Sequence, residues 1–287
     1  MNILSIPGFS EPMSSLTHLL AAVLALVGGY FLLRRGHGNS LRVFSLLLYT
    51  FALIFLFSMS GVYHLLDPEG GPRQVLQRLD HAAIWLLIAG TFTPIHMILF
   101  RGAWRWGVLL LVWFIAITGL ILEIIFFKQI AEWLSLSFYL GLGWIGIATS
   151  WHFRRSFAHT SIRWLWLGGL FYSLGGFLEL LRWPVLIDGV FTAHELFHLF
   201  VIAGAWAHWV FTFRWAHYPT SRDIQFQVKV FPNGRHVAKA IGENLKIEAE
   251  SLEQLRLQTK QKIPQCFASF TPEAIHLKFI HVETLSP

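Results

Sequence analysis

Seven apolar stretches dominate the first three quarters of this 287-residue chain, approximately over 16–33, 41–66, 79–100, 105–127, 134–153, 163–181 and 190–213. Each is close to the ~20 residues that a helix needs to cross some 30 Å of hydrocarbon. A backbone inside lipid must satisfy its own hydrogen bonds, so open sheets are excluded there and the runs have to be packed helices. Composition agrees. With 55% hydrophobic and 13% charged residues, and a mean hydropathy of +0.55, the chain has too few polar groups to cover a water-soluble globule of its length. Six of its tryptophans (Trp104, Trp106, Trp133, Trp183, Trp209 and Trp215) sit near the ends of these runs, where indole rings settle at headgroup level. The fold class expected is an all-α integral membrane protein, a seven-transmembrane-helix bundle over residues 1–218. Met1 to Ser15 lacks basic residues and a small-residue cleavage site, so no removable signal peptide is expected.

The loops between runs are short and carry turn or charge signals, such as Arg34-Arg35-Gly36-His37-Gly38-Asn39 and Asp67-Pro68-Glu69-Gly70-Gly71-Pro72. Basic residues divide unevenly between the two sides. Arg34, Arg35, Arg42, Arg101, Arg105, Arg154, Arg155, Arg163, Arg214 and Arg222 fall on one side, and only Arg73, Arg78, Lys128 and Arg182 on the other. The first side should be cytoplasmic, with the N-terminus outside and the C-terminus inside a plasma or inner membrane. Orientation accounts for the net charge of +6, and no nucleic-acid partner is expected, because no basic stripe or reader motif occurs. The single cysteine, Cys266, excludes an intramolecular disulfide and a cysteine-ligated metal site. Gly168, Gly169, Gly175 and Gly176 in the sixth run mark close helix contacts.

The character changes after residue 218, and residues 219–287 are expected to form a small soluble α+β domain. Residues 223–231 alternate polar and apolar and run into Pro232-Asn233-Gly234, a strand and a tight turn. Further strands are predicted near 236–241, 244–249 and 274–283. A helix over about 252–262 is opened by Ser251 and Gln254 at capping-box spacing and stops before Pro264. Through Val228-Lys229-Val230-Phe231, Gly234, Val237-Ala238-Lys239-Ala240 and Ser251-Leu252-Glu253-Gln254-Leu255 the tail resembles the β-β-β-α-β modules of HicB type. That implies a regulatory or interaction appendage with a protein partner.

Ser60, His64, Asp80, His194 and His198 stand at the ends of apolar runs that face the same side of an alternating bundle. A charged group in hydrocarbon costs roughly 2.5–3.5 kcal/mol on insertion scales, so five polar positions at one depth need a reason. Ser60 and His64, like His194 and His198, are four residues apart and share a helix face. Three imidazoles from two helices hold zinc and leave a fourth position for water, the pattern of a catalytic site. Asp80 would reach that water or a ligand imidazole, and Ser60 would support His64 by a hydrogen bond. Plainer readings exist for each part. Asp80 could pair with Arg78 or His81, Ser60 could bond back to the carbonyl of Leu56, and His18, His96, His152 and His208 are read as carbonyl-bonded histidines. Glu123 and Glu179 are read as interfacial or interhelical polar contacts.

His194-Glu195-Leu196-Phe197-His198 also spells H-E-x-x-H, the zinc-protease signature, in which the Glu is general base. Asp67 is the conceivable distant acidic ligand of that reading, which leaves His64 and Asp80 unexplained.

Ser60-Gly61-Val62-Tyr63-His64, Leu79-Asp80-His81, Gly90-Thr91-Phe92-Thr93-Pro94 and His194-Glu195-Leu196-Phe197-His198-Leu199-Phe200-Val201 together resemble the hemolysin III branch of the progestin and adipoQ receptor family. The similarity covers roughly residues 11–215, with Ser15-Leu16-Thr17-His18 at the start of the first run. It implies a seven-helix protein holding Zn2+ through His64, His194 and His198, with Asp80 near the zinc water. It also implies kinship with adiponectin receptors, linked to ceramide hydrolysis, and with alkaline ceramidases. The soluble tail departs from the usual bacterial member.

The function expected is hydrolysis of a lipid amide or ester, Asp80 accepting the water proton and returning it to the leaving group, with membrane lipids as partners. The alternatives are a zinc-containing lipid receptor or membrane-homeostasis sensor without turnover, then a pore-forming hemolysin or the intramembrane metalloprotease.

Overall fold

A computed structural model describes residues 9–67, 69–156, 162–220, 223–241, 245–266, 272 and 274–280. Among them, six helices are long and apolar enough to cross a membrane: α1 (Pro12–Gly36), α2 (Ser40–Leu65), α3 (Gly71–Leu99), α4 (Gly102–Phe126), α7 (Arg163–Leu181) and α8 (Ala193–Trp215). Pro12 and Pro72 open α1 and α3, positions where the missing N–H costs nothing and the fixed φ already suits a helix. The third helix therefore begins well before its apolar run. Arg73, Gln74, Gln77 and Arg78 belong to it although hydropathy does not register them.

The fifth expected span is corrected. In place of one helix over 134–153 there are two, α5 (Glu132–Trp144) and α6 (Gly146–Ser156), interrupted at Ile145, and each is too short to cross alone. Gly141 and Gly143 precede the break. A methyl added at either would meet nothing within 4 Å, so these glycines do not serve packing; their effect is to weaken the helix, by about 1 kcal/mol each relative to Ala. The pair still runs from one end of the bundle to the other. Ser135 in α5 donates to Glu123 near the end of α4 at 3.1 Å, and Thr149 in α6 lies 3.0 Å from His96 near the end of α3.

α3 is the interior helix, with 83% of its apolar window buried against 22% for α4 and 17% for α7. Leu110 and Phe114 on α4 are the reverse case, about 70% exposed (69% and 71%), as a lipid-facing surface requires. The expected helix contacts are present at Gly168 against His208, Gly175 against Phe200 and Gly176 against Leu136, while Gly169 has no neighbour within 4 Å.

At the end of the bundle where α1, α3 and α8 finish, three arginines gather backbone carbonyls. Arg42 donates to Gly36, His37 and Tyr218 at 2.7, 2.8 and 2.9 Å, Arg101 to Ile98, Phe100 and Pro219, and Arg105 to Phe100 and Thr220. The carbonyls of Gly36, His37, Ile98 and Phe100 are acceptors that the ends of α1 and α3 leave without intrahelical partners, and those of Tyr218, Pro219 and Thr220 belong to the segment that follows α8. The chain leaving α8 is fastened here before the tail begins.

The tail forms β1 (Asp223–Val230), β2 (His236–Ala240), β3 (Lys246–Ala249), α9 (Leu252–Cys266) and β4 (Ala274–Ile280) in the order β3-β2-β1-β4. β1 is antiparallel to β2 and parallel to β4, with Phe226 opposite both Ala240 and Leu277. Ile224, Phe226, Val228, Ala238 and Ile247 are buried, as are Leu255 and Ile263 of α9. Ser251 caps the helix by accepting from Gln254 N–H, while the Gln254 side chain reaches one residue further back and accepts from Glu250 N–H, so the box is offset by one residue. α9 is longer than expected and contains Pro264. A proline so near the end forfeits one backbone bond in a turn that is about to stop, which is cheaper than in a helix interior. Residues 281–283 of the expected last strand lie outside the described residues.

Candidate metal centre

His64 comes from the last turn of α2, and His194 and His198 from the first two turns of α8. One ligand atom from each lies within 4.8 Å of the others, and among the described residues no other His, Cys, Asp or Glu joins them in such a group. His64 and His198 are buried, whereas the His194 side chain keeps 32% exposure, so the cluster opens at His194.

Two carboxylates orient the rings. Glu11, just ahead of α1, holds His64 Nδ1, and Glu179 in α7 holds His194 Nδ1 at 3.2 Å. Each carboxylate is itself held by an arginine, Arg73 on Glu11 and Arg182 on Glu179, and Arg182 also reaches Glu132 at 2.7 Å. Burial alone would raise the Glu11 carboxyl, but the hydrogen bond from His64 and the charge of Arg73 override that and hold it low. A neutral imidazole that donates Nδ1–H to a carboxylate carries its lone pair on Nε2. The Nε2 atoms of His64 and His194 face each other at 3.3 Å. Two lone pairs so placed need a cation between them. Nitrogens 2.0–2.1 Å from one tetrahedral ion are themselves about 3.3 Å apart, the spacing of this pair, and the His198 ligand atom lies within 4.8 Å of both, so the donor set suits an imidazole-bound metal ion.

Asp80, on α3, lies outside the histidine group, half-buried and within electrostatic range of Tyr63, whose ring is 4.5 Å from His64. Its plainer partners are engaged elsewhere: Arg78 donates to Ile124 O at 2.7 Å, and His81 Nδ1 sits 2.9 Å from Gln77 O. Among the described residues Asp80 has no hydrogen bond or ion pair. Ser60 is buried one turn before His64, with no bond back to Leu56. His18 is not the carbonyl-bonded histidine expected. Its ring stacks on His198 at 3.8 Å and 14°, and among the described residues neither of its nitrogens has a partner.

Glu195 decides the protease comparison. One of its oxygens accepts from Ser14, and the other from Thr192 N–H and Thr192 Oγ1 at 2.8 and 2.7 Å, a complete capping box for α8. A carboxylate committed to a helix start and to α1 is not placed as a general base. Asp67, the acid that reading required, is exposed and accepts Glu69 N–H in its own loop.

A profile described as "Haemolysin-III related" matches residues 9–209, a stretch that holds every residue of this site. The chain belongs to the haemolysin III family. It is similar to "Hemolysin-3" of Bacillus cereus, at 29% identity over 197 residues, 68% of this chain and 86% of the relative. It is also similar to "Hemolysin-3 homolog" of Bacillus subtilis (strain 168), at 27% over 197 residues, 68% and 89%. The match to the haemolysin III profile ends at residue 209, before the tail, and the resemblance of that tail to HicB-type modules gains no support from these relatives.

Two carboxylates went unrecognised in the sequence. Glu11 stands 53 residues from His64, and Glu179, expected as an interfacial or interhelical polar contact, does join α7 to α8, but through the candidate ligand His194. The usable signal was chemical: a ligand imidazole needs an acceptor for its second nitrogen, and few carboxylates occur near the spans. Glu123, likewise read without a partner, receives Ser135.

Proposed function

We propose that this haemolysin III protein is a zinc-dependent membrane hydrolase acting on a lipid amide or ester. The observation that carries the reading is the pair of opposed Nε2 atoms of His64 and His194, each ring oriented by a carboxylate. His64, His194 and His198 would hold the ion, which when bound supplies Lewis acidity for acidifying water and polarising a carbonyl. Asp80 accepts the proton of the attacking water and delivers it to the departing amine or alcohol. An apolar cavity of about 180 Å³ between α3, α5, α6, α7 and α8 suits the lipid chain. Phe197 lines that cavity and also stands 6.2 and 6.0 Å from the rings of His194 and His198, so cavity and centre share a wall. In this reading α5 and α6 together make the seventh crossing, and the arginine-rich side, with the tail, is cytoplasmic. The tail would serve as an interaction appendage for a protein partner.

Product analysis of purified, zinc-loaded protein with a panel of lipid amides and esters tests the activity. Asp80→Asn keeps the shape of the side chain but cannot take a proton, so turnover should fall by on the order of 10²–10⁴ while zinc content stays near wild type. No product from any lipid, or turnover unchanged in Asp80→Asn, would sink the assignment.

A receptor or sensor without turnover is the second reading. It draws on the interrupted helix, because Gly143, Trp144, Gly146 and Ile147 at the break all line the cavity, where a bound lipid would bear on the least regular element of the bundle.

A further inference from the structure

The sheet of the tail has a second face that neither the metal centre nor the cavity uses. Ile224, Phe226 and Val228 of β1 are buried together with Leu255 and Ile263 of α9, so Gln225, Gln227 and Lys229 project to the other side, where they are exposed. Strand register sets what stands beside each of them. Gln227 pairs with Lys239 of β2 and with Lys278 of β4, and Lys239 pairs with Lys246 of β3, which puts three lysines in one row across four strands. Lys229 follows in the next row, paired with Val237 and Ile280. All four lysines are exposed.

Little on this face answers their charge. Glu248 is its carboxylate among the described residues, and Lys246 at 2.6 Å and Arg235 at 3.6 Å already share it. Lys229, Lys239 and Lys278 have no ion pair among the described residues. Like charges set side by side, as on Lys239 and Lys246, weaken a sheet, and an anionic partner laid over them reverses the sign.

Position decides which anion that is. Arg101 and Arg105 hold the carbonyls of Pro219 and Thr220 at the arginine-lined end of the bundle, and β1 opens at Asp223. The three residues from Thr220 to Asp223 reach about 11 Å at most, and the seven to Gln227 about 25 Å, so the lysine row stays in the neighbourhood of the bilayer surface. So short a tether keeps lipid headgroups at a high effective concentration. A single-stranded nucleic acid would call for aromatic platforms, and among the described residues this face presents no Phe, Tyr or Trp.

We propose that the open face of this sheet lies on the bilayer and binds anionic phospholipid headgroups through Lys229, Lys239, Lys246 and Lys278. α9, on the opposite face, then remains available to a protein partner. The assignment goes beyond the hydrolase reading and does not depend on it.

Lysine acetylation read by mass spectrometry tests it on the full-length protein, in nanodiscs of phosphatidylcholine alone or with about one-third phosphatidylglycerol. Lys229, Lys239 and Lys278 should react about fivefold more slowly in the anionic discs, while Lys260 and Lys262, exposed on α9, stay within about twofold. The protection should disappear at about 1 M salt, where the screening length falls to about 3 Å. Lys239→Gln combined with Lys278→Gln should release Lys229 in the same anionic discs. Equal rates in the two kinds of disc, or equal protection of the α9 lysines, would overturn the proposal. So would protection that appears only when a single-stranded oligonucleotide is added, which would make the face a nucleic-acid site.

Discussion

The two ends of the bundle both bury charged side chains, and they use them for different purposes. At one end Arg42, Arg101 and Arg105 donate to backbone carbonyls where α1, α3 and α8 stop. At the other, Arg73 and Arg182 hold Glu11 and Glu179, which hold His64 and His194. Side chains that grip backbone satisfy a need that any helix end has, and the outcome is a closed structure. A chain of side chains that ends on two facing imidazole lone pairs is unfinished without a cation. Burial of charge alone therefore does not mark a functional site; what the last member of the chain still lacks does.

The sharpest break of this contrast is His198→Ala or His64→Ala. Elemental analysis should show zinc falling from about one ion per chain to almost none while the protein stays inserted, because imidazole ligands are what the site offers. Zinc retained in both variants would place the metal elsewhere. Arg42→Met should do the opposite, costing about 3 kcal/mol in thermal unfolding by leaving several buried carbonyls without donors, with zinc per folded chain unchanged. Smaller effects sharpen the relay. Glu11→Gln preserves an acceptor for His64 but removes the charge, so competition with a chelator should show zinc affinity lower by roughly 10–100-fold. Glu195→Ala is expected to move least: about 1 kcal/mol of stability for the lost α8 cap, with zinc affinity within about twofold of wild type. A large loss of zinc in that variant would return Glu195 to the metal chemistry.

How much of this was legible in the sequence depended on the range of the interaction. Apolar runs reported most of the spans because lipid imposes its demand on consecutive residues. The spacing of Ser60 with His64 and of His194 with His198 survived as helix-face geometry. The tail's strands followed period-two alternation closely, from Ile224-Gln225-Phe226-Gln227-Val228 to its buried face. What escaped was non-local or sub-threshold. Glu11 meets His64 only because α1 and α2 pack, and no local pattern encodes that. The interruption at Ile145 escaped because the residues around it are as apolar as a span should be, and hydropathy does not weigh the backbone freedom of Gly141 and Gly143. The H-E-x-x-H string misleads for the converse reason. Its first turn has to be capped, and the Glu that looks like a base meets Thr192 for that purpose.

The interlock between α7 and α8 has an evolutionary consequence. Gly168 and His208 occupy one shared space, and Gly204 and Tyr172 another, so neither member of a pair is free to change alone. A methyl at position 168 displaces the imidazole, but the same methyl after His208→Ala fills space the ring has vacated. Gly168→Ala should therefore be harmful in one background and tolerated in the other. Such epistasis ties the identities of His208 and Tyr172 to the two glycines that face them across the α7–α8 contact.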